Sequence, residues 1–553
     1  MIRNNGLGRA RFPLHGMAAA LAIGWAGSAM AIELDTGNPD LRMRWDNTVR
    51  YNLGMRMEGQ DRRLLNNPNY DESDSKFGKG SVVTNRVDWL SELDLSYRGQ
   101  FGARVTGAAW YDNAYDDHSV HTTAPGGALT SYRNSEYNST VKRYVNGPSG
   151  ELLDAFVWAN MDIGAVPLNV KVGRHTNIWG EGLLIGGHAI SYSQSPVDGV
   201  KAVTSPGIET KEVFLPVGQV SGKAQVTDRL SIAGQYFYEW EPTRVPHAGT
   251  YLMGADTAPT VDRLPNNWAR AQSKKPGGDG NWGVAAKLNI EEIESTFGAY
   301  YREFNDYAPE TGVQYLGAAG PFRFVYPEGV RLLGLSFARV IGPVSFGSEL
   351  SMRKNGHLNS TGVSAANNTG ARGDTWHAIV NGVYMLPKTS FWDTGTLVAE
   401  LAYSRLDQVT KNPELYKAVG YNCAKVGGAA GNKLGNKMDG CSTDDFAQIA
   451  INFTPQYLNI FPSWDMDVPL TVNYGLSGNA PSGGGGFERL MSWSMGVKMT
   501  YASRYEFTLR YADMAAATIY NAAGTTALGG NGLSSAVGAT DRGWLTFTFK
   551  TAF

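Results

Sequence analysis

The 553-residue chain has few charged side chains, few cysteines and no long apolar run beyond its N-terminal stretch. Asp, Glu, Lys and Arg make up 18%, and the formal net charge is -2, which argues against nucleic acid as a partner. A membrane-spanning helix needs about 20 mostly apolar residues, and Gly, Asn or charge interrupts the later apolar runs. The mean hydropathy is -0.28, but a membrane strand is apolar only at every second position, so a barrel is not excluded.

Cysteine is nearly absent: the only two residues are Cys423 and Cys441, in a segment rich in Gly, Asn and Lys. Their spacing is not that of a CxxC metal pair, and no His lies near them. In an oxidising compartment the two thiols can close a local loop. We therefore predict a disulfide between Cys423 and Cys441 and no metal site.

The N-terminus has the three parts of a secretory signal peptide. Arg3, Arg9 and Arg11 precede the apolar stretch GMAAALAIGWAG, and the small residues of SAMA follow it. The apolar stretch is too short to span a bilayer as a helix, so a membrane anchor is the weaker alternative. We predict that residues 1–31 are removed on export and that residues 32–553 form a single domain.

What the sequence does contain is Gly (67), Tyr (27) and Trp (14), with apolar and polar residues alternating over many short stretches. In LRMRWDNTVRYNLGMRM, which begins at Leu41, one parity is apolar except for Asn47, and the other is mainly Arg, Asn and Asp. The stretches RVDWLSELDLSYRG, GNWGVAAKLNI and MSWSMGVKMTY follow the same pattern. Because successive side chains of a strand point to opposite faces, each stretch has one apolar face and one wet face.

Short and long connections alternate between about 18 such stretches. The segments 99–102, 341–343 and 502–504 are short, whereas 116–150 and 407–443 are long and rich in turn-forming residues. Short periplasmic turns and long extracellular loops are typical of an outer-membrane barrel. We predict an all-β fold, a closed transmembrane antiparallel β-barrel of 16–18 strands.

Charged residues concentrate on the polar parity of the first two predicted strands. This parity should face the lumen, because charged side chains are costly in lipid. The lumen-facing candidates are Arg42, Arg44, Arg50, Arg56, Asp88, Glu92 and Asp94. Two roles stay open for them: a transverse field that orients a solute, or a ladder of ion pairs in a wet lumen.

Residues 179–211 form the most distinctive long connection. Their apolar run LLIGG is unsuited to a loop in water. We predict that the segment folds into the lumen as a constriction or plug, with packing on the barrel rim as the alternative. The candidate residues are Arg174, His175, Trp179, Glu181, Leu183, Leu184, Ile185, His188, Glu209 and Lys211. Arg174 continues the lipid-facing parity of Val172, so a bulge or interfacial snorkelling is expected there.

Several stretches together resemble a known family: ELLDAFVWANMDIGAVPLNVKVGRHTNIWGEG, SPGIETKE, LPVGQVS, RWDNTVRYN and the terminal Phe. Over its whole mature length, the chain resembles the proteobacterial domain-of-unknown-function family thirteen-oh-two. The resemblance implies an outer-membrane barrel, often encoded near a periplasmic lipoprotein-carrier-like protein and an inner-membrane exporter of the resistance-nodulation-division (RND) type. It implies traffic of hydrophobic molecules and supplies no functional residues.

No GxSxG, P-loop or HExxH motif occurs in the sequence. We predict no catalytic residue and no cofactor, and hence no enzyme. The expected function is a channel or transporter for small hydrophobic or amphipathic solutes, passive or coupled to the exporter system. A structural or surface-interaction barrel is the main alternative; an outer-membrane hydrolase, which needs a nucleophile and its base at the outer rim, is the weaker one.

The chain ends in WLTFTFKTAF, where Leu545, Phe547, Phe549 and Phe553 share one parity. We predict that this is the closing strand of the barrel, paired with residues 41–57. Phe547, Phe549 and Phe553 resemble the signal read by the barrel-assembly machinery. The expected partners are this machinery, outer-membrane lipid, the carrier, the exporter and a small solute, with the protein in the outer membrane of a Gram-negative bacterium.

Overall fold

A single closed sheet dominates the computed structural model, which describes residues 32–318, 320–428, 432–532 and 534–553. Eighteen antiparallel strands surround the lumen, which confirms the predicted barrel. The last strand pairs with the first from Thr48↔Ala552 to Arg56↔Trp544, so the sheet has no open edge. The predicted signal peptide, residues 1–31, lies outside the described residues.

The barrel strands alternate between short turns at one end, here the short-turn end, and long loops at the other, the long-loop end. In chain order the strands are β1 (Leu41–Arg56), β2 (Val82–Tyr97), β3 (Phe101–Asp112), β4 (Ser149–Ile163), β5 (Val166–His175), β6 (Val217–Gln225), β7 (Leu230–Phe237), β8 (Trp282–Ile290), β9 (Ser295–Phe304), β10 (Val330–Ile341), β11 (Val344–His357), β12 (Arg372–Met385), β13 (Thr394–Lys411), β14 (Asp445–Phe461), β15 (Trp464–Asp467 and Leu470–Gly478), β16 (Met491–Tyr501), β17 (Tyr505–Ala515) and β18 (Trp544–Ala552).

The other elements are short and lie mainly in the loops. The α-helices are α1 (Arg62–Leu65), α2 (Glu72–Lys76), α3 (Ser139–Val141), α4 (Gly199–Thr204), α5 (Thr210–Val213) and α6 (Ser534–Val537). The remaining strands are Ile32–Leu34, which pairs with β1, and the two pairs Gln314–Tyr315 with Phe322–Arg323 and Ala517–Tyr520 with Ala527–Asn531. No helix among the described residues is long and apolar enough to cross a bilayer.

The alternation in β1 has the orientation of a membrane barrel. Trp45, Leu53 and Met55 point outward and are 37–41% exposed, whereas Arg50 and Arg56 point inward and are at most 1% exposed. The outward faces of the other strands are likewise rich in exposed apolar residues. The sheet therefore presents an apolar surface to its surroundings and a polar surface to its lumen, as lipid requires.

Two polar residues on the outward faces of β1 and β2, Asn47 and Ser91, each accept a hydrogen bond from a tryptophan indole. The Trp89 indole N–H donates to the Asn47 side chain (3.1 Å), and the Trp45 indole N–H donates to the Ser91 hydroxyl (2.8 Å). An indole N–H buried in an apolar layer needs an acceptor. Asn47 and Ser91 provide one across the β1–β2 pair.

The connection between β5 and β6 is longer than the sequence suggests. The sequence predicts a connection over residues 179–211, whereas β5 already ends at His175 and β6 begins only at Val217. Residues 210–213 form α5 instead of strand, and Pro216, which cannot donate a ladder hydrogen bond, precedes the first residue of β6.

Candidate functional site

The candidate site is the connection of residues 176–216, which we name the inward segment because it runs through the lumen. It contacts β1 and β2 on one side of the barrel and β11, β12 and β13 on the other. Inside it, Asp198 caps α4 by accepting from the Lys201 backbone N–H (2.9 Å). Because the inward segment contacts opposite walls of the barrel, it does not pack only on the barrel rim.

The carboxylate of Glu400, in the middle of β13, holds the apolar LLI run against the wall. It accepts hydrogen bonds from the backbone N–H groups of Leu183 (2.6 Å), Leu184 (2.9 Å) and Ile185 (2.5 Å). The Asn381 amide of β12 donates to the same carboxylate (3.0 Å). A buried carboxylate needs such donors to replace its water, so the wall and the segment stabilise each other.

Glu349 of β11 binds the neighbouring turn in the same way. Its carboxylate accepts from the backbone N–H groups of Glu181, Gly182 (2.8 Å) and Ile190 (2.6 Å). The side chain of Glu181 reaches Lys287 of β8 (3.2 Å). Burial raises the pKa of Glu181, and Lys287 opposes that rise. The WGEG stretch is thus fixed to two separate strands.

Two arginines bind the carbonyl groups of the same turn. Arg302 of β9 donates to three carbonyl oxygens in residues 190–193 at 2.7–2.8 Å. Arg353 of β11 donates to two in residues 187–189, at 2.9 and 3.1 Å. Wall carboxylates therefore satisfy the N–H groups of the segment, and wall guanidinium groups satisfy its C=O groups, which removes the cost of burying irregular backbone.

His188 lies at the centre of these contacts and is buried. One ring nitrogen faces His377 of β12 (3.0 Å), and the other faces the Gly485 carbonyl oxygen (2.7 Å). Burial lowers the pKa of His188 to about 4, with the charge of Arg353 acting in the same direction. The imidazole is therefore neutral near pH 7 and ties the inward segment to both the wall and a loop of the long-loop end.

The later half of the inward segment is tied to β1 and β2. Glu212 forms a buried ion pair with Arg50 (3.1 Å), and the Ser205 hydroxyl donates to Asp88 (3.1 Å). Arg50 also donates to the Gly207 carbonyl oxygen (3.3 Å). Arg50 and Asp88, both lumen candidates from the sequence, therefore serve to anchor the segment.

Glu209 and Lys211 form an ion-pair network just below. Glu209 lies 3.0 Å from Lys211 and 2.9 Å from Lys550 of β18, and Lys211 also pairs with Glu92 of β2. Burial alone would raise the pKa of Glu209, but Lys550 and Lys211 overcome it and lower the pKa to about 2. This network links β2 with β18 across β1, the strand that pairs with β18 to close the barrel.

Three of the remaining lumen candidates, Arg44, Asp94 and Arg56, pair with neighbours on the wall or in the loops. These pairs are Arg44–Asp46 (2.7 Å), Arg104–Asp94 (2.6 Å) and Arg56–Asp74 (2.7 Å). Arg56 is buried under the loops of the long-loop end, and Arg42 is exposed at the short-turn end. Arg44 and Asp94 line a vestibule of about 290 Å³ at the short-turn end.

Arg174 does not line the constriction, which corrects the sequence prediction. It keeps the outward parity of Val172 and pairs at the rim with Glu239 and, at 3.6 Å, with Glu241. These rim carboxylates let a cation on the lipid-facing parity leave the apolar layer. His175, one residue later, points inward, and its ring lies 2.7 Å from the Ser221 hydroxyl.

A side cavity of about 300 Å³ lies between β5–β8 and the inward segment. His175, Ser221 and Lys287 line it, and Trp179 lies at its edge against Tyr300, with ring centroids 6.3 Å apart. Its lining contains no residue from the other loops of the long-loop end. The lining of this cavity therefore does not extend to those loops.

Two further cavities lie on the other side of the inward segment, against β12–β18. The lower cavity, about 300 Å³, is bordered by Leu183, Leu184 and wall residues toward the short-turn end. The upper cavity, about 260 Å³, is bordered by Ala202 and Val203 and by residues of the long-loop end. Both are lined by the same three wall residues, Thr471, Ser494 and Arg510. The two cavities therefore border the same point of the wall.

The wall residues that hold the inward segment were not singled out from the sequence. The sequence marks these residues only as single charges within strand stretches that are otherwise weakly charged, such as LVAELAYSR. They are Glu349, Glu400, Arg302 and Arg353. Leu183 and Glu400 lie 217 residues apart, so their contact could not be inferred from spacing. The lumen-facing parity alone identifies such residues as candidates.

The loop cysteines Cys423 and Cys441 form a disulfide with an S–S distance of 1.96 Å, and the described residues contain no free cysteine. Within those same residues, no three His, Cys, Asp or Glu side chains are placed to share a metal ion.

The family model described as "Protein of unknown function (DUF1302)" matches residues 12–553, and the chain belongs to that family. No curated protein matches the sequence. The solved structures that resemble it include Pseudomonas aeruginosa OpdK with vanillate (10% identity, TM-score 0.41, covering 92% of this chain and 98% of OpdK). Others are the outer membrane channel DcaP of Acinetobacter baumannii (11%, 0.36, 94% and 100%) and Pseudomonas aeruginosa OccD3 (12%, 0.37, 95% and 93%). At these TM-scores, the likenesses carry no argument about the solute.

Proposed function

We propose that this member of the DUF1302 family is an outer-membrane channel or transporter for a small hydrophobic or amphipathic solute. The observation that carries the proposal is that the lower and upper cavities share Thr471, Ser494 and Arg510 in their linings. A protein that acts only as a surface scaffold has no need of two successive cavities between an ordered lumen segment and the wall. A channel needs them, with a constriction between them.

The loop arrangement supports the outer membrane of a Gram-negative bacterium as the location. Short turns at one end and long loops at the other match the periplasmic and extracellular sides of such barrels. The signal peptide predicted at 1–31 would direct export, and Phe547, Phe549 and Phe553 would serve in assembly. In this orientation the vestibule that Arg44 borders opens to the periplasm.

The lining of the lower cavity supports an amphipathic solute. Leu183 and Leu184 contribute apolar surface from the inward segment, and Val398 does so from β13. Thr396 and Thr471 add hydroxyl groups on the wall. A lining of this mixed kind binds the apolar part of a small molecule and still gives hydrogen bonds to its polar part.

Coupling to a periplasmic carrier and an RND-type exporter is part of the proposal. The charges of the vestibule, which include the exposed Arg504 and the half-buried Glu506, offer a carrier a polar docking surface at the short-turn end. Co-purification of the barrel with the products of neighbouring genes tests this coupling. The coupling would be contradicted if no complex is recovered from membranes and the exporter does not change solute flux.

Conductance in planar bilayers tests the proposed path. Ser494→Trp places an indole in the lining that the lower and upper cavities share and should strongly reduce the conductance of the reconstituted protein. Ser231→Trp introduces the same side chain into the lining of the side cavity, and should leave conductance unchanged. Equal effects of the two substitutions, or no conductance or solute flux from any variant, would contradict the proposal.

One contact supports a hydrolase as a second candidate. The Ser221 hydroxyl lies 2.7 Å from a ring nitrogen of His175, and the other ring nitrogen lies 3.1 Å from the Gly173 carbonyl oxygen. A serine beside a histidine is the core of many acyl-transfer sites. An esterase activity that is lost in Ser221→Ala would favour the hydrolase, and an inactive wild-type protein would exclude it for the esters tested.

A further inference from the structure

Arg510 lies at the middle of β17, on the parity that faces the lumen. It borders both the lower and the upper cavity. Its backbone carbonyl accepts a hydrogen bond from the Thr546 hydroxyl of β18 (3.2 Å). The guanidinium group is therefore carried on a fixed strand, at the point of the wall that both cavities border.

The guanidinium of Arg510 has no protein partner among the described residues, unlike the buried arginines that bind the inward segment and the wall. Arg50 and Arg86 bind carboxylates, and Arg302 and Arg353 bind carbonyl oxygens. The Nε atom of Arg510 is buried and makes no hydrogen bond. A guanidinium keeps its charge in proteins, so this is an unneutralised cation inside the barrel.

No acidic side chain in the described lining of either cavity pairs with Arg510, although Asp513 also lines the upper cavity. Ser494, Thr471 and Thr508 are uncharged members of the same lining. The acidic residue of the lower cavity, Asp467, already pairs with Lys498 at 2.7 Å. A charged residue at membrane depth is costly, and it usually marks a solute or ion pathway.

We infer that Arg510 binds the anionic head of the transported solute, so that the solute class is small amphipathic anions such as alkyl or aryl carboxylates and sulfonates. The inference rests on the proposed channel function. The planar guanidinium gives two parallel N–H donors to such a head group. The apolar part of the solute lies against Leu183, Leu184 and Pro206 of the inward segment, which line the same lower cavity.

Solute flux into proteoliposomes tests this inference with two probes of similar size and opposite charge. Hexanesulfonate and hexyltrimethylammonium are permanently ionised, so neither crosses protein-free vesicles as a neutral form. Wild-type protein should pass the sulfonate faster. Arg510→Gln should lower sulfonate flux by about tenfold, the effect of losing one hydrogen bond to a charged group. Arg510→Lys, which keeps the charge, should retain most of the preference.

Arg331→Gln is the matched control, because it removes one positive charge from the outward parity of β10, away from the lumen. It should leave both fluxes unchanged. Heat-dependent mobility in gels verifies that each variant is a folded barrel. Equal flux of the two probes in the wild type, or an unchanged preference in Arg510→Gln, would overturn the inference and leave the channel proposal standing. No flux of either probe through any folded variant would overturn both.

Discussion

Removal of the Glu400 carboxylate should release the first half of the inward segment from the wall. In Glu400→Ala, the backbone N–H groups of residues 183–185 lose their acceptor while they remain away from bulk water. The segment must then open to hydrate these groups or leave them unsatisfied, and the second choice is costly. The variant should keep the barrel intact, because Glu400 forms its ladder hydrogen bonds through its backbone.

The size of the effect follows from the three contacts. A hydrogen bond to a charged group contributes about 1.5 kcal/mol at the low end of its range, which gives roughly 4 to 5 kcal/mol for three. Because the substitution also removes the desolvation cost of the carboxylate, we expect a net loss of about 3 kcal/mol. Opening of residues 183–185 should therefore increase roughly a hundredfold.

Amide hydrogen exchange of peptides covering residues 179–190 measures this opening directly. Glu414→Ala, which removes an exposed carboxylate from a loop, is the control and should exchange as the wild type does. The conductance of Glu400→Ala should rise as the segment loosens. Unchanged exchange at residues 183–185 would refute the reasoning, since the wall carboxylate would then not hold the segment.

Two further substitutions test the other anchors and the long-loop end. Arg50→Ala leaves Glu212 buried without its cation and should destabilise residues 205–216 by about 3 kcal/mol or more in hydrogen exchange. Arg44→Ala, which breaks a more exposed pair, should cost less than about 1 kcal/mol. Equal effects of the two substitutions would contradict the role of Arg50 as an anchor of the inward segment. Burial raises the pKa of Glu72 from 4.5 to about 8. The charge of Asp71 acts in the same direction, and the hydrogen bonds from Ser131 act in the opposite one. The folded form thus holds this proton more tightly, and stability should fall as pH rises from about 4.5 through about 8. Glu72→Gln, which cannot ionise, should flatten this dependence when limited proteolysis of the loops is compared at pH 5 and pH 9; an unaltered pH dependence would contradict it.

The strands were predictable because lipid and lumen impose a period of two on each of them. The alternation in β1 and the aromatic run of β18 identify both partners of the closing pair. The ends of β5 and β6 were less predictable, because α5 and Pro216 use residues that also suit a strand. Local pattern therefore gives the barrel and only approximate limits for its connections.

The inward position of residues 179–211 could be predicted from their apolar run, but the groups that hold them could not. Glu349 and Glu400 come from strands far along the chain, and their partners are backbone N–H groups, which leave no mark in a sequence. Arg510 alternates regularly within YEFTLRYAD. Its lack of a partner is visible only once the surrounding side chains are placed in three dimensions.

The central claim is that solute passes between the inward segment and the wall at Ser494. The most direct measurement is single-channel conductance of Ser494→Cys before and after a charged methanethiosulfonate reagent is added. Cys423 and Cys441 are joined to each other, so the introduced thiol is the one that reacts. Stepwise loss of conductance on modification, and none in similarly treated Ser231→Cys, is the predicted result. Undiminished conductance after complete modification of Ser494→Cys would contradict the claim.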